Sequence, residues 1–174
     1  MATFTWTNES TVELHANSSV HPINGEIHDV RGEATVEVTD GALDPSGATG
    51  YIEADVEHLK SGKKLEDMAL RKQVEAKKYP TVRYEVRSVE GGPDRFKVTG
   101  AFTFHGVTQE FTEDVAARVD GGTLHVETEH TFDITQFGVQ PFKILNMKIY
   151  PEVRLVLRLV GKEVGASSSG YGWG

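Results

Sequence analysis

Seven histidines are the residues of this chain best equipped to bind a metal or move a proton. Their spacing narrows the choice. No H-x-H or H-x-x-x-H pair falls on any predicted element, so a metal would have to collect ligands from distant segments. Strand parity sorts the rest. His15 shares a face with Glu13, and His125 with Glu127 and Glu129, so both are read as facing water. His105 falls in a tight turn, and His21 and His28 lie in an irregular region around Pro22. His58 shares parity with Ile52, Ala54 and Val56, and His130 with Leu124, Val126 and Phe132, so these two are expected to point inward. The expected role of His130 is to line the interior, with no metal site and no catalytic residue assigned.

Carboxylates cluster at Asp40, Asp44, Glu53, Asp55 and Glu57, but alternation puts the last three on a wet strand face. General acid–base chemistry needs a carboxylate held in a dry cleft with a shifted pKa, and none is indicated. G-x-S-x-G, G-x-G-x-x-G and P-loop signatures are missing. Cysteine is absent, which excludes disulfides, thiolate catalysis and cysteine-ligated metal. The net charge of −8 argues against a nucleic-acid partner and makes adsorption to an anionic membrane unattractive. No run approaches about 18 apolar residues, so no helix is expected to span a membrane. Met1 to Trp6 lacks a basic region and an apolar core, so it does not read as a signal peptide. The expectation is a soluble cytoplasmic protein, or a periplasmic or secreted one whose signal has been removed.

What remains to position is apolar, and period-two alternation dominates the chain. Val12, Leu14 and Ala16 alternate with Glu13 and His15. Ala34, Val36 and Val38 alternate with Glu33, Thr35 and Glu37. A loop is expected from Asp40-Gly41 through Gly47, then a strand carrying Ile52, Ala54 and Val56. One helical insertion is predicted over about 63–78, with an apolar stripe of Leu65, Met68, Ala69, Leu70 and Val74 and a basic end at Lys77-Lys78. Pro80 forces the preceding residue into an extended conformation and so converts helix to strand. Val82, Tyr84 and Val86 share one face; Phe96, Val98, Gly100, Phe102 and Phe104 share another. His105-Gly106 reads as a two-residue hairpin turn that needs positive φ. Phe142 to Ile149 reads as a short second helix or an irregular turn, and Val153, Leu155, Leu157 and Leu159 line the last strand.

The fold class is therefore all-β: a closed antiparallel barrel of about eight strands, one domain over 1–162. Residues 163–174 read as a flexible Gly/Ser-rich tail. Such a barrel is either packed solid or holds one small ligand, and periodicity does not separate the two.

The order of Lys78-Tyr79-Pro80-Thr81, Gly100 and His105-Gly106-Val107-Thr108 resembles the YceI-like family, lipocalin-like barrels that bind polyisoprenoid lipids. Trp6 of the opening strand, Gly25, Gly32, and Phe132-Asp133 to Phe137-Gly138-Val139 extend the likeness from Trp6 to about Gly161. Two positions depart from it. Gln73-Val74-Glu75-Ala76 stands where the family carries two aromatics, and Gln136 where it often has aspartate.

The resemblance implies non-catalytic binding, storage or transport of an amphipathic isoprenoid or quinone-like lipid inside the barrel, with no cofactor other than that lipid. Residues expected to wall the cavity are Leu14, Tyr84, Val86, Phe102, Phe104, Val126, His130, Phe132 and Leu157, with Met68, Leu70 and Phe142 at its mouth. One rival is a barrel enzyme that cyclises or isomerises a hydrophobic substrate, with His130 or Tyr84 as proton donor. An inward polar pair in a dry cavity would support it. The other rival is a solid-barrel interaction protein. A homodimer through exposed strands or the barrel mouth stays open.

Overall fold

The alternation seen in the sequence folds, in a computed structural model that describes residues 1–165, into eleven antiparallel strands and one α-helix. The strands are β1 (Ala2–Trp6), β2 (Thr11–Ser18), β3 (Ile23–Ile27), β4 (Val30–Thr39), β5 (Ala42–Asp55) and β6 (Thr81–Gly91). They continue as β7 (Arg95–Phe104), β8 (Val107–Asp120), β9 (Thr123–Asp133), β10 (Lys143–Ile144) and β11 (Met147–Glu163). Pairing runs β1-β4-β5-β6-β7-β8-β9-β11, and β11 returns to β1 through Phe4 opposite Glu163 and Trp6 opposite Gly161. The barrel is closed and has eight staves.

Two staves are each made of two strands. β1 and β2 pair with β11 at Gly161–Glu163 and Ile149–Arg158 respectively, while β3 pairs with β2 and β4 with β1. Ser10 bridges the first interruption: its buried hydroxyl donates to the Val160 carbonyl (3.2 Å) and accepts from the Val160 N–H (2.9 Å). The outer edge of β3 is covered by the segment after β5. There Glu26 and Lys60 exchange both backbone hydrogen bonds (3.0 and 3.1 Å).

That segment carries a 3-10 turn (Val56–His58) and the helix α1 (Lys64–Gln73). The helix is shorter than 63–78. After Val74 the chain turns through Glu75 at φ 53°, and Tyr79 N–H closes back on the Glu75 carbonyl (2.8 Å) before Pro80 opens β6. Two further expectations are corrected. The residues after Asp40-Gly41 form no loop; β5 starts at Ala42 and pairs through Leu43 opposite Val38, with Pro45 to Ala48 bulged out of the ladder. Phe142 to Ile149 holds no helix, because Lys143 and Ile144 pair with Lys148 and Met147 around a Leu145-Asn146 turn. A 3-10 turn at Ile134–Phe137 forms instead, capped by Asp133, whose carboxylate accepts from the Thr135 N–H (2.8 Å), and ended by Gly138 at φ 83°. The expected tail lies, from residue 166 onward, outside the described residues.

Inward side chains form three contiguous clusters. One surrounds Phe102, Phe132 and Phe137 at the end bearing α1 (the helix end), one surrounds Ile52, Ala54 and Leu159 at mid-height, and one surrounds Phe4 and Phe96 at the far end. Each fully buried aromatic or aliphatic side chain contributes roughly 1.5–3 kcal/mol, so the wall is secure before any ligand is considered. At the helix end the two-residue turn of β7 and β8 has His105 at φ 55° and Gly106 at φ 73°, the left-handed pair such a turn requires.

Candidate functional site

Close packing of two strand faces would fill a barrel of this size, yet the inward side chains here leave room. Three cavities of about 150, 90 and 110 Å³ lie in series from the far end to the helix end. The first and second share Ile52, Tyr84, Val98 and Leu157; the second and third share Val12, Val82, Phe102 and Leu155. Each is several times larger than a water needs, and the walls are almost wholly apolar. The barrel is hollow, which removes the basis of the solid-barrel expectation.

Tyr84 forms the waist between the first two cavities. Gly100 on the adjoining strand makes this possible, because a Cβ there would overlap the Tyr84 ring and the Glu85 carbonyl. Burial pushes the Tyr84 hydroxyl up to about 12, with the negative charges of Glu113 and Glu110 adding to the effect.

Of the twelve residues expected to wall the cavity or sit at its mouth, eleven line the three cavities. Val86 and Val126 line the first cavity; Tyr84 and Leu157 line the first and second; His130 lines the second; Phe102 lines the second and third. Leu14, Leu70, Phe104, Phe132 and Phe142 line the third. Met68 is the exception, 57% exposed on the outer side of α1 while Ala69, Leu70 and Val74 pack inward. The helix uses a narrower stripe than its sequence suggested. His58 is also corrected: the 3-10 turn at Val56 breaks the alternation, and the imidazole sits outside, its Nδ1 3.0 Å from Asp29.

Polar side chains in the lining include Arg71 at the helix-end cavity, its Nε buried without a partner, and a pair at the middle cavity. His130 Nδ1 lies 3.1 Å from Glu113 Oε1, with the histidine side chain 13% and the glutamate 32% exposed. A carboxylate only accepts, so Nδ1 carries the proton and donates it. Nε2 is buried with no protein partner, enclosed by the rings of Phe111 (centroids 4.0 Å apart), Phe102 and Phe132 (both 5.9 Å). Glu113 was missed in the sequence, although a signal was present: it shares parity with Phe111 and Val115 on β8.

This pair sits at a seam. The β8–β9 ladder runs from Asp120 opposite Thr123 only as far as Val115 opposite Thr128. Beyond it, side chains hold the strands: Thr128 Oγ1 donates to the Asp114 carbonyl (2.9 Å), Glu113 takes His130, and Gln109 Nε2 donates to the Gln136 carbonyl (2.9 Å). A polar hollow outside the seam shares Glu113, Thr128 and Leu157 with the middle cavity. At the helix end, His105 Nδ1 reaches the Phe137 carbonyl (2.8 Å) and Nε2 reaches Glu75 (2.7 Å), with the Tyr79 ring tilted against it at 4.6 Å. These contacts tie the turn after α1 and the turn after β9 to the β7–β8 hairpin. Among the described residues, no group of three or more His, Cys, Asp or Glu could hold a metal, and no helix is long and apolar enough to cross a membrane.

Comparison with known proteins places this geometry. The sequence model of the YceI-like domain matches residues 6–161. BcnA of Burkholderia cenocepacia superposes with a TM-score of 0.74 at 19% identity, covering 87% of this chain and 96% of BcnA. A polyisoprenoid-binding domain from Saccharophagus degradans, implicated in plant cell wall breakdown, also gives 0.74, at 11% identity, covering 94% of this chain and 99% of that one. A YceI protein of Campylobacter jejuni gives 0.65 at 14% identity, over 82% of this chain and 86% of that one. At such identities the structural likeness speaks to the fold alone. No curated protein sequence matches the chain significantly.

Proposed function

Because the chain belongs to the YceI-like domain family, we propose that it binds an amphipathic isoprenoid lipid, with the tail threaded through the three cavities and without turnover. The observation that carries this reading is the series of three cavities with almost wholly apolar walls. A prenyl tail buried there gains roughly 25 cal/mol per Å² of apolar surface, so the tail supplies most of the affinity. The polyisoprenoid-binding name of the Saccharophagus relative supports the same ligand class. His130 refines it. With Nδ1 donating to Glu113, Nε2 is an acceptor whenever the ring holds a single proton, and a ligand hydroxyl, as in a prenyl alcohol or a quinol, would meet it. Storage or carriage of such a lipid follows from sequestration alone.

Mass spectrometry of lipid extracted from the purified protein, followed by titration of delipidated protein with prenyl alcohols, tests the reading. A protein that carries no lipid and binds none of these ligands sinks it.

The Glu113–His130 pair favours a second reading, a barrel that isomerises or cyclises a hydrophobic substrate by proton transfer through His130. Turnover of a prenyl substrate that disappears in His130→Ala, while binding survives, would decide for it. Binding without turnover decides against it.

A further inference from the structure

The helix end of the barrel differs from the rest of its surface in two independent ways. Among the described residues seven large hydrophobic side chains are exposed, and five of them sit at this end: Val20, Leu65, Met68, Leu145 and Tyr150. The other two, Met1 and Val164, lie at the far end, where the Val164 N–H bonds the Thr3 carbonyl. Leu145 is 88% exposed at the tip of the β10–β11 turn, and Leu65 is 74% exposed on α1. Scattered exposed hydrophobics need no explanation, but a concentration of them at one end of a molecule does.

Charge is sorted the same way. Residues 18–23, 56–80 and 138–150 contain nine Lys and Arg against four Asp and Glu, a local net of +5 in a chain of net −8. Of the four acids, Asp67 is buried against Ser61 (2.6 Å) and Glu75 is engaged by His105. The far end has the opposite character, with Asp40, Asp94 and Asp120 in its hairpin turns. Net charge alone pointed away from an anionic surface; its distribution does not.

These segments form one rim. Ser19 and Lys148 exchange two hydrogen bonds (both 2.9 Å), His21 lies 3.3 Å from Lys63 and 3.6 Å from Glu66, and Gln73 donates to the Gln140 carbonyl (3.3 Å). The rim surrounds the helix-end cavity, whose outer lining includes Leu70, Phe142 and the exposed Tyr150.

We propose that this rim docks on an anionic lipid bilayer, with Leu65, Met68 and Leu145 entering the headgroup boundary and the surrounding lysines neutralising acidic headgroups. Apolar side chains set among lysines on one face are the chemistry that lies on such a surface. Charge complementarity suits the anionic bilayer and opposes a symmetric pairing with a second copy of this chain, since two +5 rims repel one another. The inference goes beyond ligand identity, because docking needs no occupant in the tunnel.

The test is co-flotation of the whole protein with phosphatidylcholine vesicles, with and without phosphatidylglycerol, all free of isoprenoid lipid. Binding is expected only with phosphatidylglycerol and is expected to collapse at about 0.5 M salt. Lys64→Glu with Lys148→Glu should weaken it by at least about thirty-fold. Leu65→Ser with Leu145→Ser should also release the protein. Lys97→Glu with Lys162→Glu makes the same change in net charge at the far end and should leave binding intact; far-UV circular dichroism checks the fold of every variant. Equal binding to neutral vesicles, no binding to anionic ones, an equal loss in the Lys97/Lys162 variant, or dimerisation through this face without vesicle binding each overturns the proposal. Since the vesicles lack isoprenoid lipid, failure here leaves the lipid-binding reading standing, and failure of lipid binding leaves docking standing.

Discussion

Replacing Glu113 by Leu and His130 by Phe together is expected to make the delipidated protein more stable than the native sequence. His130 keeps one ring nitrogen bonded to Glu113 at 3.1 Å and the other buried without a protein partner among three phenylalanines. A buried unsatisfied polar group costs about 1–3 kcal/mol, and a hydrogen bond to a charged group contributes about 1.5–3 kcal/mol. Glu113→Leu alone strands both nitrogens and should lower stability by about 1.5–3 kcal/mol. The double change removes every polar atom of the pair and adds a ring of similar shape to an aromatic cage, so it should rise about 1–3 kcal/mol above the native protein. For a chain of this length each kcal/mol moves the melting temperature by about 2–4 °C. Urea unfolding followed by circular dichroism reads the same difference as a midpoint shift at constant slope. Lipid must be removed first, because a ligand hydroxyl on Nε2 stabilises the native protein by mass action and hides the effect. A double variant less stable than the native protein would refute the reasoning: the ring nitrogens would then be satisfied, and the pair would be packing rather than a polar group kept for a ligand.

Val98 lines both the first and second cavities, so Val98→Trp should plug the tunnel at its waist. The expected outcome is a folded protein that no longer gains thermal stability from prenyl alcohols; a retained ligand-induced shift would place the lipid elsewhere. Gly106→Ala forces a side chain into φ 73° and brings a Cβ to 2.6 Å from the Tyr79 ring. It should cost about 1–3 kcal/mol in urea unfolding, and an unchanged midpoint would show that the turn relaxes freely. Tyr84 ionises at about 12 in the folded protein against 10.0 for the free side chain. Between those values the unfolded chain gives up the proton first, so stability should fall as pH rises from 10 to 12. Tyr84→Phe should flatten that part of the profile, and an unaltered slope would assign it to other groups.

The barrel was legible because strict alternation has one consequence: Phe102 and Phe104, or Leu155 and Leu157, must share a face once their strands are extended. The interior followed from the same parity. It failed where the chain left regular structure. His58 changed sides because three residues of 3-10 turn reset the phase after Asp55. Met68 was placed beside Leu70 at the mouth because an amphipathic stripe gives no width, and the barrel offers α1 only a shallow seat. Lys143-Ile144 was too short to show a strand period, and only its pairing with β11 makes it one. Glu113 was legible but unread: a carboxylate in phase with Phe111 and Val115 was the signal, and the surrounding acidic residues of β8 concealed it. Hollowness was not legible at all, because it depends on how eight faces meet across a lumen and not on any one strand.

The strap over β3 has a consequence for how the mouth can open. The outer side of β3 pairs with no other strand, so Glu26 and Lys60, with Leu59 seated on the bare backbone of Gly25, conceal an edge that would otherwise present free amide and carbonyl groups to another chain. Swinging the whole connection from Val56 to Pro80 outward would convert the barrel into a template for strand exchange and aggregation. An opening at the helix end that kept this seal would have to lift only the part beyond Ser61, with Leu59 and Lys60 staying in place. The same stretch of chain would then serve as a door at one end and as a seal against polymerisation at the other.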